Sequence, residues 1–162
     1  MELVVDTNIL YTYFWKSPFA RRFLMRMSLE LFAPEFALEE INVHEPDILK
    51  KTGILKEEFK MIREDLAIAV EFIPLEEYKK FLKSALNFSP DSKNVDFLSL
   101  AMKLKIPLWS NESLLKRQNK VEVFSTIDLL KLFESTLGAA ISLLSFQMKH
   151  HIPVSCHPER SC

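Results

Sequence analysis

Short runs of apolar residues alternate with longer stretches of helical spacing along this chain. The runs at residues 3–5 and 29–33 are continuous rather than alternating, which is typical of strands buried on both faces. Further strands are predicted at residues 70–75, 107–110 and 121–124. Because helical segments separate the strands, this order predicts a parallel sheet with helices on both faces.

Helical periodicity is clearest at residues 56–69, where apolar side chains recur every three or four positions. Pro18 is expected to split the first helical stretch in two, and Pro46 to bend the helix after the second strand. The predicted helices occupy residues 9–27, 34–51, 56–69, 76–86, 94–105 and 113–117, with a long final helix from residue 127.

The chain length favours a single domain. Its 162 residues suggest a domain at residues 1–148 and a flexible tail at residues 149–162. The tail holds both cysteines and several histidines, but their spacing matches no standard zinc motif. The chain opens with a strand pattern rather than a signal peptide, and its longest apolar stretch, around residues 137–146, is too short to span a bilayer. We therefore expect a cytoplasmic protein with no membrane association.

Composition removes several function classes. Only two glycines occur, so a glycine-rich phosphate loop is excluded. With 21 basic and 22 acidic residues, the net charge of −1 lacks the global footprint of a strong nucleic-acid binder, although local basic clusters exist. The aromatic residues Tyr11, Tyr13, Phe14 and Trp15 could stack bases, but packing in the core or at a dimer surface explains most of them better.

Acidic and amide side chains stand at the ends of apolar runs, far apart in sequence. Asp6 follows the first strand, Glu112 follows the fourth, Glu40 lies in the helix after the second, and Asn94 and Asp96 begin another helix. Each could simply cap a helix or lie on the surface. Together they would converge if the first and fourth strands are neighbours, because ligands bind at the carboxyl ends of parallel strands. Gathered carboxylates select Mg²⁺ or Mn²⁺, which suggests metal-dependent phosphodiester chemistry.

Four segments of the chain resemble the PIN domain family. The run V-V-D-T-N-I-L at residues 4–10, followed by L-E-E-I at residues 38–41, looks like the opening of a PIN domain. The segments N-V-D-F-L-S-L-A-M at residues 94–102 and P-L-W-S-N-E at residues 107–112 resemble its second half. The resemblance implies a three-layer α/β/α sandwich with a parallel sheet of about five strands. It also implies a ribonuclease that cuts single-stranded RNA with Mg²⁺ or Mn²⁺.

The resemblance assigns most of the site. Asp6 matches the first acidic residue of the family, and Glu40 matches the second better than Glu39 does. Glu112 stands where the family usually has Asp, after Ser110 where it usually has Thr. All three are expected to be catalytic and to bind the metal.

The third acidic position is the departure from the family pattern. The family's aspartate falls on Asn94, whose amide oxygen can bind a hard cation without contributing charge. Asp96 follows two residues later, about 200° around a helix, so it can substitute only if the helix start is irregular. Asp91 in the preceding loop is a further alternative. We expect Asp96 to contribute as a catalytic carboxylate and metal ligand, through water, with Asn94 as the alternative ligand.

Partners follow from the same resemblance. Many family members are toxins of toxin–antitoxin pairs, which implies an antitoxin protein as partner and RNA as substrate. The apolar stripe of the final helix, with Ile127, Leu130 and Leu137, fits either burial by the sheet and first helix or a dimer surface. Because PIN-like proteins commonly dimerise, the resemblance favours a homodimer. The alternative function is a catalytically weak module that binds RNA or a protein partner.

Overall fold

The computed structural model describes residues 1–15 and 29–149. The predicted helix break at Pro18 and the predicted tail after Lys149 lie outside these residues.

Five parallel strands form one sheet in the order β3-β2-β1-β4-β5. The strands are β1 (Glu2–Val5), β2 (Glu30–Pro34), β3 (Val70–Ile73), β4 (Leu108–Trp109) and β5 (Val123–Phe124). Val4 of the central strand pairs with Phe32 of β2 on one side and with Leu108 of β4 on the other. The first and fourth strands are neighbours, which meets the condition for the acidic residues to converge. The strand order reverses between β1 and β4, which is where parallel α/β proteins bind ligands.

Helices connect the strands. Among the described residues they are α1 (Thr7–Tyr11), α2 (Glu35–Val43), α3 (Glu45–Thr52), α4 (Lys56–Ala69), α5 (Leu75–Tyr78), α6 (Leu82–Phe88), α7 (Val95–Leu104) and α8 (Thr126–Lys149). Four 3₁₀ segments add to them: Thr12–Phe14, Lys79–Phe81, Ser92–Asn94 and Ser113–Arg117. The all-parallel sheet and its helices confirm the predicted three-layer α/β/α class.

Two predicted helices are interrupted. The stretch at residues 34–51 divides at His44, because Pro46 lacks an N–H and is tolerated only in the first turn of the new helix α3. The stretch at residues 76–86 is broken by the 3₁₀ segment Lys79–Phe81. The predicted helix at residues 113–117 is a 3₁₀ segment rather than an α-helix.

The core lies on both sides of β1. Leu3, Val4 and Val5 are fully buried, as expected for a strand whose alternating side chains are covered on each face. Phe59 of α4 is buried and stacks on Phe14 with ring centroids 4.8 Å apart. The buried centre of the sheet therefore holds the carboxyl end of β1 in a fixed position.

Contacts divide the chain into two compact units, residues 1–126 and residues 127–162. All five strands and the acidic residues discussed above belong to the first unit. The described part of the second unit is the continuation of α8. Within the described ranges, no helix combines the length and hydrophobicity needed to cross a membrane.

Candidate active site

Asp6 leaves the carboxyl end of β1 and caps the helix that follows. Its backbone N–H donates to the carbonyl of Trp109 on β4 over 3.1 Å, which fixes the end of β1 beside the end of β4. Its Oδ1 accepts the Asn8 amide over 2.7 Å, the bond expected of an N-cap. Capping uses only part of this carboxylate, because Oδ2 points to a different donor.

That donor is Ser110, the first residue after β4. The fully buried Ser110 Oγ donates to Asp6 Oδ2 over 2.5 Å. The same oxygen accepts the backbone N–H of Glu112 over 3.1 Å. One hydroxyl therefore links the ends of the first and fourth strands and fixes the backbone position of Glu112.

Glu40 reaches the same place from α2. Its Oε2 accepts a hydrogen bond from Thr7 Oγ1 over 2.9 Å, and Thr7 directly follows Asp6. Glu39 is exposed, whereas Glu40 is half-buried, which agrees with the preference for Glu40 drawn from the sequence.

Of the two candidates for the third position, Asn94 is the one that lies beside Glu112. Asn94 ends the 3₁₀ segment before α7, is buried, and donates from Nδ2 to Glu112 Oε2 over 2.8 Å. Asp96 was expected to contribute a carboxylate, but its Oδ1 accepts from the hydroxyl of Tyr78 over 3.0 Å. Burial and this carboxylate raise the pKa of the Tyr78 hydroxyl above its usual range. Positions 94 and 96 point in nearly opposite directions around a helix, so the Asp96 side chain faces α5. Asp96 does not line the cleft formed by the other acidic residues.

The cleft formed by these residues, called the acidic cleft below, has a volume of about 390 Å³. Three of the expected carboxylates and one amide line it. The other lining residues are Thr7, Asn8, Tyr11, His44, Asp91, Lys93 and Phe97. Thr7 and Asn8 belong to the motif quoted from the sequence, whereas His44 and Lys93 carried no sequence signal that distinguished them. Asp91 lines the cleft, while its Oδ1 accepts the Lys93 amide over 2.9 Å.

The carboxylates of the acidic cleft are close enough to interact electrostatically. Burial raises the pKa of Asp6, and the charges of Glu112 and Glu40 raise it further, against the hydrogen bonds from Ser110 and Asn8. A carboxylate in this position is costly to ionise without a cation. The acidic cleft is therefore a place where bound positive charge is favourable.

The donor set fits a hydrated Mg²⁺ or Mn²⁺ ion. In the described ranges, no group of three or more His, Cys, Asp or Glu side chains lies close enough together to hold a metal ion. Asp6, Glu40 and Glu112 are instead each held by a hydroxyl or amide donor. Mg²⁺ usually keeps several waters and binds through one or two carboxylates, with substrate phosphate completing its shell. An open cleft with oriented carboxylates suits that mode of binding.

Carboxylates therefore gather at the β1–β4 switch point of a parallel sheet, the position where such sheets bind ligands. The model of the PIN domain family matches residues 4–126, and the chain belongs to this family. PIN domains are generally metal-dependent nucleases. None of the curated proteins matches the chain. The family match covers all five strands except the first two residues of β1, and it ends where α8 begins.

Proposed function

We propose that the protein is an endoribonuclease that cuts single-stranded RNA with Mg²⁺ or Mn²⁺ bound in the acidic cleft. The observation that carries this proposal is the meeting of Asp6, Glu40 and Glu112 in one cleft. Burial raises the pKa of Asp6, and the charges of Glu112 and Glu40 add to it. A bound cation would relieve both the cost of burial and the repulsion between the carboxylates.

The side chains have separate roles in this proposal. Asp6, Glu40 and Glu112 hold the ion, and Asn94 orients Glu112 through its amide donor. Ser110 and Thr7 fix the other two carboxylates. When bound, the ion supplies Lewis-acid polarisation of the scissile phosphate and an acidified water for in-line attack.

Lys93 adds a positively charged side chain to the acidic cleft. It is exposed and lines the same cleft as the three carboxylates. Its ammonium group has no ion pair with a described residue, so it is available to a phosphate next to the scissile bond. A lysine contact of this kind positions the backbone and does not read sequence.

The biological role that we propose is that of a cytoplasmic toxin paired with an antitoxin protein. This rests on family membership and on the residues of the acidic cleft. We further propose a homodimer through α8, since its residues Ile127, Leu132 and Leu137 are exposed. Such an apolar helix surface is more often an interface than a free surface.

Asn94 favours a second candidate function. A neutral side chain that donates to Glu112 replaces a carboxylate of the family pattern, which lowers the negative charge available to a metal. The protein would then be a catalytically weak PIN module that binds RNA or a protein partner.

Cleavage of a labelled single-stranded RNA across an Mn²⁺ titration separates the two functions. We expect metal-dependent cleavage by the wild type and a loss of roughly 100-fold or more in Asp6→Asn, because mutation of even the outer-shell partners of a metal ligand costs about 10- to 100-fold. Asp65→Asn is the matched control, because Asp65 is an exposed residue of α4 outside the acidic cleft. Folded wild-type protein that cleaves no RNA at any Mn²⁺ concentration would favour the binding module.

A further inference from the structure

A second cavity adjoins the acidic cleft. It has a volume of about 280 Å³ and lies between the end of the first helical segment and α3. Tyr11 and His44 line both cavities. Their rings meet edge to face, with centroids 6.2 Å apart and planes at 87°. This ring pair forms a wall common to both cavities, so a ligand bound in the acidic cleft lies next to the second cavity.

The aromatic run at the start of the chain is divided between the core and this cavity. Tyr13 and Phe14 are buried, and Phe14 stacks on Phe59. Trp15 takes an extended conformation after the 3₁₀ segment and remains 46% exposed while lining the cavity. Tyr11 is half-buried in the same wall. Exposure of a large indole to water is unfavourable, and such side chains are typical of binding surfaces.

The rest of the cavity combines an apolar side, a basic residue and Asp47, whose carboxylate lies 3.7 Å from Nδ1 of His44. Ile48 of α3 is buried and gives the cavity an apolar side. Lys51, one helical turn further on, lines the cavity and has no ion pair with any described residue. Aromatic side chains beside a basic residue form the stacking platforms that bind single-stranded nucleic acid.

We propose that this cavity, the base pocket, receives a nucleobase adjacent to the scissile phosphate of a single-stranded polynucleotide. The base stacks on Trp15 and against Tyr11, while Lys51 contacts the backbone phosphate. The pocket selects single strands, because bases in a duplex are already stacked and paired. This inference rests on the proposed function, since it takes the polynucleotide of the acidic cleft as its ligand.

Trp15 reports occupancy of the base pocket without any need for cleavage. The other tryptophan, Trp109, is buried with 2% exposure, so a ligand that stacks in the pocket changes the emission of Trp15. The probe is a mixed-sequence single-stranded RNA octamer, added to Asp6→Asn protein so that it stays intact. We expect saturable quenching of tryptophan emission by the octamer and much weaker quenching by the same sequence as a duplex. Single-stranded DNA is the second arm: quenching by RNA alone identifies RNA as the ligand, and quenching by both identifies single strands in general.

Variants in the pocket give the second readout. In the Asp6→Asn background, Trp15→Leu should weaken octamer binding by roughly 5- to 100-fold, from the usual contribution of one stacked base. Trp15→Phe keeps a ring and should recover most of the affinity. Lys51→Ala should weaken binding and reduce its salt dependence, whereas Lys50→Ala, on the same helix outside the pocket, should not.

Three results would overturn the base pocket: unchanged emission at octamer saturation, equal quenching by duplex, or wild-type affinity in folded Trp15→Leu. Failure of the proposed nuclease function would give a different set of binding and cleavage results. If the octamer binds and quenches but wild-type protein never cleaves it, the base pocket stands and the nuclease does not. If wild-type and Trp15→Leu proteins cleave RNA with the same KM, the nuclease stands and the base pocket does not.

Discussion

Ser110 is the side chain on which the geometry of the acidic cleft depends most. Ser110→Ala removes the bond to Asp6 Oδ2 and the acceptor of the Glu112 amide. A hydrogen bond to a charged group is worth about 1.5–3 kcal/mol and a neutral one about 0.5–1.5 kcal/mol. We therefore expect Ser110→Ala to lower the free energy of unfolding by about 2–4 kcal/mol at neutral pH without divalent metal.

Ser99→Ala is the matched control. Ser99 is as fully buried as Ser110, but its hydroxyl donates to the Val95 carbonyl of its own helix over 2.6 Å. This back-bonding contributes little, so its loss should cost under about 1 kcal/mol. Urea unfolding of both variants measures the difference, which corresponds to a fall in Tm of roughly 2–4 °C for each kcal/mol in a chain of this size.

The pH dependence of this loss tests its cause. The bond from Ser110 lowers the pKa of Asp6 and so favours the ionised carboxylate. The cost of Ser110→Ala should be largest where Asp6 is ionised and should shrink as pH falls and the group becomes protonated. A cost no greater than that of Ser99→Ala, or one that stays constant across pH, would refute this explanation of the acidic cleft.

Three further predictions follow from the same geometry. Burial raises the pKa of Asp6 in the folded protein above its ordinary value of 3.8, so the stability that Asp6 contributes is complete below that pH and is lost as pH rises through the folded pKa. Asp6→Asn should therefore unfold at a higher urea concentration than wild type near neutral pH without metal, and a lower midpoint would count against the raised pKa. Asn94→Asp should tighten Mn²⁺ binding by restoring a negative charge. Asp96→Asn should leave Mn²⁺ affinity unchanged, because Asp96 accepts a hydrogen bond from Tyr78. The reverse pattern in a calorimetric titration would identify Asp96 as the ligand instead. Sedimentation at micromolar concentration should give a dimer, and a monomer of 18.9 kDa with α8 intact would exclude the homodimer.

The sheet could be predicted because its signals are local. Each strand is a short apolar run, and the alternation with helices implies parallel pairing. The break at Lys79–Phe81 had no such signal, because residues 76–86 keep helical spacing throughout. Tyr78 at that break is held by the carboxylate of Asp96, a contact between residues 18 positions apart that periodicity does not reveal.

The candidate site could be predicted where its residues come shortly after a strand in the sequence. Asp6 and Glu112 lie just after β1 and β4, so their convergence follows from the order of strands. The choice between Asn94 and Asp96 depended on where a 3₁₀ segment gives way to α7, and a shift of two residues reverses the side-chain direction. Lys93 lies in the 3₁₀ segment Ser92–Asn94, which has no distinctive sequence pattern, so its place in the cleft emerged only from the structure.

The most direct test of the central claim is anomalous diffraction from a crystal soaked in Mn²⁺. We predict a single strong anomalous peak in the acidic cleft, within coordinating distance of Asp6 and of at least one of Glu40 and Glu112. The same soak of Asp6→Asn should show this peak lost or greatly reduced. A wild-type crystal whose acidic cleft shows no anomalous density in saturating Mn²⁺, or whose peak lies beside Asp96 and Tyr78 instead, would contradict the assignment of this cleft as the metal centre.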